Sequence, residues 1–464
     1  MKLNTRYLFL LLLLAPLVGR AQQQNQLAKP QTVPQGPPLS LQEAIRIGLE
    51  NNFGIQLARR DEEIASNNVT RGNAGQLPSV NGNFSRTFNI NNTRQQREQQ
   101  KAVVINGGKA NALNANVGVN WTIFDGFGMF IAYDRLRTLE NGQRQITRAT
   151  MEETVESISN AYFAVVRESG KIKSLEQALA IGQQRIDLTQ AQVDVGVSAK
   201  VEVLTARVDF NADRSLLIQQ QEALKTAKVN LNNLLSRGPQ LDFSPSDSIV
   251  VTRDLDREAI NQGIVARNPR LQQARFGVDV AQFDRKLVRA SRYPQVDLTG
   301  GYGLTRNINN AFLINTAQGS VLGSNTNRVF GPNYGVVASV PIFDGFNRNR
   351  LEQNARVAEE QSRIQLDQTR LNLESQAEQA YAQYQNRLQL LELEEDNITL
   401  ARQNVAIALE RYRLGLLTPL ELREAQRNRI DAETRLLDIR YQAKEAETVL
   451  RRLSGSLVQE GGGQ

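Results

Sequence analysis

The sequence predicts an α+β membrane protein built from two tandem structural repeats, each with one β-hairpin and two long helices. The first observation is that the stretch Ile123–Phe127, Ile-Phe-Asp-Gly-Phe, returns unchanged at Ile342–Phe346. The second is that each copy follows residues that alternate between apolar and polar, as in β-strands, and precedes a long segment of helical period. Asp-Gly therefore marks the junction where a strand passes into a helix. The junction residues are Phe124, Asp125 and Gly126 in the first repeat and Phe343, Asp344 and Gly345 in the second.

The repeat also sets the boundaries of the chain's parts, because one offset of 219 positions relates Tyr162 to Tyr381 as well as the two junctions. Both repeats are expected to run in the order helix, hairpin, long helix and return helix, over 39–236 and 257–453. The parts predicted outside the repeats are a signal peptide at 1–21, a Gln/Pro-rich tether at 22–38, a connector at 237–256 and a disordered tail at 454–464.

Composition and the N-terminus narrow the class of protein. Lys2 and Arg6 precede an apolar run that ends at Gly19-Arg20-Ala21, which predicts a cleaved secretory signal and export. The run is too short for a membrane-spanning helix. The chain has no cysteine and no histidine, and its formal net charge is only +7. We therefore expect no enzyme activity, no cofactor, no metal site and no nucleic-acid partner.

The first helix of repeat 1 is predicted to start at Ser40, where Glu43 completes a capping-box pattern, and to end before Arg71-Gly72. The hairpins are predicted at 79–124 and 294–343, with one apolar face and one face of Asn, Ser, Thr and Gly. Strands of about ten residues with these two faces, joined by long polar loops, are typical of a transmembrane β-barrel with a wet lumen. The loops are predicted at 91–111 and 307–333.

A soluble amphipathic sheet is the alternative, but no remaining apolar element could cover its faces. Arg86 is the one exception on the apolar face, and it is tolerable only at a membrane boundary. Four strands cannot close a barrel, and an open edge in lipid leaves backbone groups unsatisfied. Outer-membrane barrels begin at about eight strands, so a dimer would supply eight and a trimer twelve. The strands alone leave this choice open.

Long helices are predicted after both junctions, over Phe127–Ala191 and Phe346–Tyr412, each about 100 Å long at about 1.5 Å per residue. Return helices are predicted from Lys200 to Leu235 and from Pro419 to Leu453. A heptad stripe in the second long helix predicts a seam between helices. Its members are Tyr384, Leu391, Ile398, Val405 and Tyr412.

Several of these segments together resemble one known family along essentially the whole mature chain. They are the opening Leu39-Ser40-Leu41-Gln42-Glu43-Ala44, the steps Leu77-Pro78-Ser79-Val80 and Tyr293-Pro294-Gln295-Val296, the paired Phe-Asp-Gly junctions and the two glycine-bearing helical turns. In this order and spacing they resemble the TolC family of outer-membrane efflux channels. The resemblance implies a trimer with a twelve-stranded transmembrane β-barrel, four strands per chain, continued by a twelve-helix periplasmic α-barrel.

The resemblance also implies a function and a set of partners. Family members are passive gated channels that serve as the exit duct of a tripartite efflux or secretion system and carry small molecules such as drugs. The expected partners are two further copies of the chain, outer-membrane lipid, a periplasmic adaptor and an inner-membrane pump of the resistance-nodulation-division or ABC type. One alternative is a type I protein-secretion channel. Another is a structural or adhesive coiled-coil trimer, which would not need a second hairpin between its rods.

The turns at the far tip of the rod are the adaptor-contact positions that the resemblance implies. They are Val195, Gly196, Val197 and Ser198 in the first repeat and Leu414, Gly415, Leu416 and Leu417 in the second. The residues themselves leave a second interpretation open, since a short apolar turn with glycine also serves simply to reverse a helix.

The resemblance further implies a periplasmic gate formed by Glu421 and Glu424 and a latch formed by Glu202 and Tyr412. Three-fold symmetry would gather six gate carboxylates, whose repulsion would raise their pKa values. Leu417 departs from the family pattern, because the matching position is basic in the best-known members. The alternative is that Glu421 and Glu424 are ordinary solvated helix residues.

Overall fold

The computed structural model describes residues 36–96, 102–316 and 319–458, without the side chains of 311–322. The predicted signal peptide at 1–21, residues 22–35 of the predicted tether and residues 459–464 of the predicted tail lie outside the described residues. Among the described helices, none has an apolar stretch long enough to cross a membrane.

Apart from the short strand β1, the two repeats have the same order of elements. Repeat 1 contains β1 (Pro38–Leu39), α1 (Leu41–Asn51), α2 (Phe53–Asn68), β2 (Ser79–Gln95), β3 (Val103–Phe124), α3 (Gly128–Asp194) and α4 (Lys200–Leu234). The connector holds β4 (Ser244–Pro245). Repeat 2 contains α5 (Arg257–Arg267), α6 (Pro269–Ala290), β5 (Gln295–Thr316), β6 (Gly319–Ser339), α7 (Asn347–Arg413) and α8 (Pro419–Leu453).

The single helix predicted from Ser40 is in fact two helices, α1 and α2, which meet at Asn52. Asn52 has an extended backbone, and its side-chain oxygen accepts a hydrogen bond from the Ile55 N–H at 3.2 Å. Asn is a favoured N-cap residue because its side chain satisfies a free N–H of the first helical turn. Asn268 divides α5 from α6 in the same way, with Pro269 in the first turn of the second helix. The capping asparagine is thus the local signal for the break.

The four long strands form one antiparallel sheet in the order β2-β3-β5-β6. They are 17 to 22 residues long, so the prediction of polar loops over 91–111 and 307–333 is wrong. Main-chain pairing continues to Gln95–Val103 in one hairpin and to Thr316–Gly319 in the other. Polar side chains mark where the apolar band ends, but they do not prevent backbone pairing beyond it. At the other end β6 stops at Ser339, short of the predicted 343.

The long helices form a layer in the order α4-α3-α8-α7. Both α3 and α7 are 67 residues long and therefore extend about 100 Å. The shorter α6 packs between the upper parts of α3 and α7, and α2 packs on α3. The predicted heptad seam of α7 is confirmed, because Tyr384, Leu391, Ile398, Val405 and Tyr412 are all buried.

Each repeat has its main apolar core where its short helices meet the long ones. The first core centres on Ile158, Tyr162 and Leu231, and the second on Leu271 and Leu450. Tyr162 donates a hydrogen bond from its hydroxyl to the Leu39 carbonyl at 2.8 Å, just before α1. Tyr381 makes the corresponding bond to the Leu255 carbonyl at 3.4 Å, just before α5. The repeated tyrosines therefore position the entry of the chain into each repeat.

The end of the predicted tether and the connector are joined. Pro38 and Leu39 pair in parallel with Ser244 and Pro245, and the Ser244 N–H donates to the Pro37 carbonyl at 3.1 Å. Leu39 is buried in the core of repeat 1. The tether prediction therefore does not extend to 36–38, which are ordered by this pairing.

The start of the predicted disordered tail is also ordered. Ser454 is buried at the end of α8, and Leu457 and Val458 pack against the core of repeat 1. Gly455 has φ of 67° and lies close to the Arg267 carbonyl, so the chain turns tightly between α5 and the end of α8. The prediction of disorder is wrong for 454–458, because two apolar residues follow the glycine-containing turn and return to the core.

Candidate functional site

Both tip turns are helix ends closed by a Schellman motif. At the end of α3 the Gly196 N–H donates to the Val193 carbonyl at 3.0 Å, and the Val197 N–H donates to the Gln192 carbonyl at 2.9 Å. Gly415 and Leu416 make the same pair of bonds at the end of α7. Gly196 has φ of 79° and Gly415 has φ of 70°, which only glycine adopts at little cost. A β-carbon would meet no atom within 4 Å at either position, so conformation alone requires the glycines.

Four apolar side chains project from the tip turns into solvent. Val195 is 74% exposed, Val197 79%, Leu414 72% and Leu416 64%. Isolated exposed apolar residues are common, but several at the turns that end long helices favour a contact surface. We call these four residues the tip patch.

Leu417 and Ser198 have other roles than the residues of the tip patch. Leu417 is half-buried and packs against the cluster of Val405, Tyr412 and Leu422, which explains why a leucine can replace a basic residue there. Ser198 donates a hydrogen bond from its hydroxyl to the Glu202 carboxylate at 2.6 Å. Both residues therefore stabilise the turns from within.

The predicted latch between Glu202 and Tyr412 is not formed within the chain. Glu202 accepts the hydrogen bond from Ser198, and the Tyr412 hydroxyl lies 2.8 Å from Oγ1 of Thr189 in α3. Tyr412 and Thr189 are both buried. Thr189 could not be found from sequence, because a helical threonine usually bonds the carbonyl four residues back, as Thr189 also does with Arg185.

A partly buried ion network near the tip joins three helices. Arg423 of α8 donates two hydrogen bonds to the Asp213 carboxylate of α4, at 2.6 and 2.8 Å. Arg185 of α3 is 3% exposed and donates to Asp209 of α4 at 2.8 Å. Arg423 also lies 3.7 Å from Asp209, which makes the four residues continuous. The hydrogen bonds to Asp213 raise the pKa of Arg423. We call Arg185, Asp209, Asp213 and Arg423 the tip network.

The tip network was missed from sequence for a physical reason. Arg423 lies between the two predicted gate residues, but positions one or two apart on a helix do not face each other, so the spacing within α8 gives Arg423 no partner there. The actual partners are 210 residues away on another helix. Only the packing of α4, α3 and α8 side by side brings them together.

The predicted gate residues are exposed on the first two turns of α8. Glu421 accepts hydrogen bonds from the Thr418 N–H at 2.9 Å and the Thr418 hydroxyl at 2.7 Å, and it completes a capping box. These bonds lower the pKa of Glu421, opposite to the direction expected from a ring of like charges. Glu424 is exposed on the same side, while Leu422 and Ala425 are buried in the core below.

The two strand-to-helix junctions are locally alike. Phe127 and Phe346 precede the long helices with φ of 67° and 64°, a left-handed conformation that costs a non-glycine residue about 1–2 kcal/mol. Each ring lies edge-on to the phenylalanine three residues earlier, with centroids 5.5 Å apart for Phe124–Phe127 and 5.6 Å for Phe343–Phe346. Asp125 and Asp344 begin the turns, and the Asp344 carboxylate accepts from the Arg348 N–H at 3.0 Å.

The surroundings of the junctions differ between the repeats. A β-carbon on Gly126 would lie 2.5 Å from the Ala290 carbonyl oxygen and 2.6 Å from Cβ of Tyr293, because the end of α6 covers this turn. A β-carbon on Gly345 would meet nothing within 4 Å. The two junctions therefore have the same local structure, but only the first is packed against another helix of the chain.

The family of the chain is shown by a match to a known sequence profile. The sequence profile of the outer membrane efflux proteins matches residues 44–237 and 261–456, which include both repeats. The chain belongs to the outer membrane efflux protein family. One matched segment runs from α1 to just past the end of α4 and the other from α5 to just past the end of α8, so the profile applies to each half of the chain separately.

Relatives of this efflux family chain carry names from drug and solvent efflux. A probable efflux pump outer membrane protein, TtgC of Pseudomonas putida, is 24% identical over 430 residues, which are 92% of this chain and 84% of the relative. A toluene efflux pump outer membrane protein of another Pseudomonas putida strain is 23% identical over 431 residues, with the same coverage. The outer membrane protein TolC of Vibrio cholerae is 20% identical over 421 residues, 89% of each chain.

Solved structures show the same fold. The outer membrane protein VceC of Vibrio cholerae superposes with a TM-score of 0.69 at 17% identity, over 89% of this chain and 96% of VceC. The CmeC outer membrane channel of Campylobacter jejuni superposes with a TM-score of 0.71 at 15% identity, over 90% of this chain and 85% of CmeC. The efflux family chain is thus an outer-membrane channel protein that extends into the periplasm and serves as an efflux exit duct. The relatives favour efflux over secretion or adhesion.

Proposed function

We propose that this chain is one third of a trimeric, gated exit duct that passes small molecules from an inner-membrane pump to the cell exterior. The observation that carries the proposal is that the sheet has two unpaired edge strands and the helix layer has two edge helices without a neighbour in the described part of the chain. The sheet ends in β2 and β6, and the helix layer ends in α4 and α7. A closed ring of identical copies supplies a partner for each of these four edges.

The sheet edges favour closure in a membrane. Each unpaired main-chain group in lipid costs several kcal/mol, so β2 of one copy must pair with β6 of another. Twelve strands from three copies form a barrel within the size range of outer-membrane barrels. Aromatic residues at the helix-proximal end of the sheet, including Trp121, Phe343 and Phe346, are exposed and suit the lipid boundary.

The outer helices carry matching apolar stripes. On α7 the exposed residues Leu393, Leu400 and Ile407 recur every seven positions, on the side of the helix away from the buried seam. On α4 the exposed residues Val201, Leu204 and Val208 have helical spacing. Each stripe alone would leave apolar surface in water. Packing α7 of one copy against α4 of the next buries both stripes and continues the helix ring.

The uncovered junction at Gly345 supports the same assembly. In repeat 1 the end of α6 covers Gly126, and the equivalent helix of the other repeat is α2. Leu77, which follows α2 at the position equivalent to Tyr293, is exposed. In the proposed ring, Leu77 of a neighbouring copy packs into the open space at Gly345. Every junction is then packed against a helix end.

The tip patch is assigned to docking of a periplasmic adaptor, which joins the duct to an inner-membrane pump of the resistance-nodulation-division or ABC type. Adaptor contact explains why Val195, Val197, Leu414 and Leu416 stay exposed after the ring closes over the helix flanks. The names of the relatives support small molecules such as antibiotics and aromatic solvents as cargo. A type I protein-secretion role is the alternative.

We assign the gate to the tip as well. Glu421 and Glu424 supply carboxylates at the mouth, and the tip network holds α4, α3 and α8 together in the closed state. Arg423 belongs to the same helical turn as both glutamates, so a movement of α8 that separates them from the axis also strains the bond to Asp213. An adaptor that binds the open form more tightly shifts the equilibrium toward opening.

Oligomeric state and conductance test the proposal. The variant Leu400→Asp/Ile407→Asp places charge on the α7 stripe and should yield monomers in native mass spectrometry of the detergent-solubilised protein. Thr399→Asp/Ala406→Asp is the matched control, since it adds the same charge to exposed positions off the stripe. Wild type and control should be trimers that conduct ions in planar bilayers. A wild-type protein that is monomeric or fails to conduct contradicts the proposed duct.

A further inference from the structure

Three arginines lie in one row across the sheet. The register pairs Arg86 of β2 with Leu113 of β3, Leu113 with Arg306 of β5, and Arg306 with Arg328 of β6. Residues paired directly across antiparallel strands point to the same face. The row therefore lies on the face that carries Phe84, Leu304 and Phe330, which is the apolar face of the sheet. All three arginines are exposed.

The distance from the row to the helix-proximal end of the apolar face can be estimated from the strand register. The residue Val296 pairs with Phe124 at the aromatic end of the sheet. At about 3.4 Å per residue, the strand from Val296 to Arg306 covers about 34 Å. A tilt of about 40° reduces this to about 26 Å along the membrane normal, close to the height of about 25 Å of a lipid-facing band. The arginines thus lie at the far boundary of the band, where a charge costs least.

Among the described residues, no protein anion lies where it could neutralise the row. Asp297 is the single acidic residue in the four strands, and it belongs to the opposite face, where it accepts a hydrogen bond from Thr122 at 2.7 Å. No carboxylate among the described residues pairs with the three guanidinium groups. Arg86 instead lies 4.8 Å from the ring centroid of Phe88, and Arg328 lies 5.6 Å from that of Phe330. Stacking on rings orients a guanidinium but does not balance its charge.

The positive charges of the row are closest together where Arg306 pairs directly with Arg328. Opposite residues of an antiparallel pair have Cα atoms about 4.5–5.5 Å apart, and like charges at this distance destabilise the sheet. An anion between the two guanidinium groups removes this repulsion. Phosphate fits best, because its oxygens accept two parallel hydrogen bonds from an arginine fork. The position at the edge of the lipid band makes a lipid headgroup the source of the phosphate.

We propose that Arg86, Arg306 and Arg328 bind the phosphate groups of an anionic lipid at the extracellular boundary of the barrel. The inference rests on the proposed function, because it requires the apolar face of the sheet to lie in a bilayer. It adds a specific headgroup chemistry to that placement. The bound lipid would fix the depth of the barrel and screen the paired arginines.

Lipid retention tests the inference. Wild-type protein is reconstituted in phosphatidylcholine nanodiscs that contain a diphosphorylated glycolipid of the lipid A type. After extraction into detergent, native mass spectrometry counts the glycolipid molecules that stay on the trimer. The variant Arg306→Gln/Arg328→Gln should retain about tenfold less, the loss expected for charge-assisted hydrogen bonds. Arg214→Gln/Arg427→Gln removes the same charge from exposed helical positions and should retain as much as wild type.

Further arms of the experiment separate the possible outcomes. Wild type should not retain the dephosphorylated glycolipid, and excess inorganic phosphate should not release the bound lipid. Arg306→Lys/Arg328→Lys keeps the charge but loses the bidentate fork, so it should retain an intermediate amount even if the glutamine variant fails to insert. Equal retention by all variants, or release by inorganic phosphate, overturns the inference. Because ion conductance of the wild type in planar bilayers is measured separately, failure of the lipid site is distinguishable from failure of the proposed duct.

Discussion

The side-chain amide of Asn268 donates a hydrogen bond to the main-chain carbonyl of Leu453 at 2.9 Å. Asn52 makes the same contact with the Leu234 carbonyl at 2.8 Å. In each repeat, one asparagine thus caps a short helix and also binds the last turn of the return helix. The two ends of a repeat are held together by a single side chain with both of its polar atoms in use.

Replacement of Asn268 by alanine should destabilise the fold by about 2–4 kcal/mol. The N-cap contributes about 1 kcal/mol, and the Leu453 carbonyl would be left buried without a donor. Denaturant unfolding followed by helical circular dichroism measures the change. Asn67→Ala at an exposed helical position should have an effect within about 0.5 kcal/mol. Equal effects of the two variants would mean that the two hydrogen bonds of Asn268 do not contribute measurably to the free energy of unfolding.

Charge in the tip patch should abolish efflux without affecting assembly. In Val197→Asp or Leu416→Asp the new carboxylate lies where the adaptor is expected to bury an apolar side chain, so docking would have to desolvate a charge. The measurements are efflux from cells, trimer content and outer-membrane insertion. If the trimer is lost together with efflux, these residues only build the turn, and docking must be assigned elsewhere.

Arg423→Gln should open the tip more than Tyr412→Phe. The first change breaks a bidentate ion pair and leaves the Asp213 carboxylate buried, which costs about 3 kcal/mol or more. The second removes one neutral hydrogen bond worth about 1 kcal/mol, and Thr189 keeps its bond to the Arg185 carbonyl. Single-channel conductance in planar bilayers should therefore rise clearly in Arg423→Gln and little in Tyr412→Phe. A larger rise in conductance in Tyr412→Phe than in Arg423→Gln would indicate that Tyr412, as first predicted, is the main residue that holds the tip closed.

Removal of both gate carboxylates should abolish cation selectivity. The double variant Glu421→Gln/Glu424→Gln is compared with each single variant by reversal potential and by block with multivalent cations. We expect Glu424 to contribute more, because the Glu421 carboxylate is already occupied by Thr418. Unchanged selectivity in the double variant would place both glutamates on an ordinary solvated face.

Glu421 also predicts a dependence of stability on pH. Its pKa in the folded state is lowered from an ordinary value of 4.5 by the bonds from Thr418. The stability from the capping box is therefore fully present above pH 4.5 and is lost as the pH falls through the lowered pKa. Thermal unfolding of wild type and Glu421→Gln should differ at neutral pH and converge in acid. A constant difference across this range would contradict the link to ionisation.

Glu152 predicts the opposite dependence. It is 1% exposed in the core of repeat 1, and burial raises its pKa although Arg148 opposes the shift. Above the ordinary value of 4.5 the folded state holds its proton more tightly than the unfolded state, so stability falls as the pH rises. Glu152→Gln should therefore be more stable than wild type at neutral pH and equal to it below pH 4.5. A variant that is less stable at neutral pH would show that the charged form is required.

The sequence was sufficient for features that depend on local periodicity. The repeated Phe-Asp-Gly junctions, the heptad seam through Tyr384 and Tyr412 and the glycine turns at Gly196 and Gly415 all follow from spacing within one or two elements. The tip network and the Tyr412–Thr189 contact could not be predicted in this way. The Arg423–Asp213 and Tyr412–Thr189 contacts join residues more than 200 positions apart, and the side-by-side order of the four long helices decides them.

The strand ends show a second limit of sequence interpretation. Apolar alternation fades at Asn91 and at Asn307, yet pairing continues well beyond both residues. Side-chain polarity reports the solvent around a strand, whereas pairing depends on main-chain groups that every residue has except proline. The same distinction explains the tail, where Leu457 and Val458 return to the core after a short polar turn.

The difference between Gly126 and Gly345 separates the folding of this chain from its assembly. A substitution at Gly126 would clash with Ala290 and Tyr293 inside one chain, so a newly exported copy would already be misfolded before it met another. A side chain at Gly345 would meet no atom of its own chain within 4 Å, so apart from the backbone strain of its φ of 67° it would interfere only with a neighbouring copy in the proposed ring. In the proposed ring, a side chain at Gly126 therefore perturbs the folding of a single copy, whereas the space at Gly345 is filled only when copies assemble.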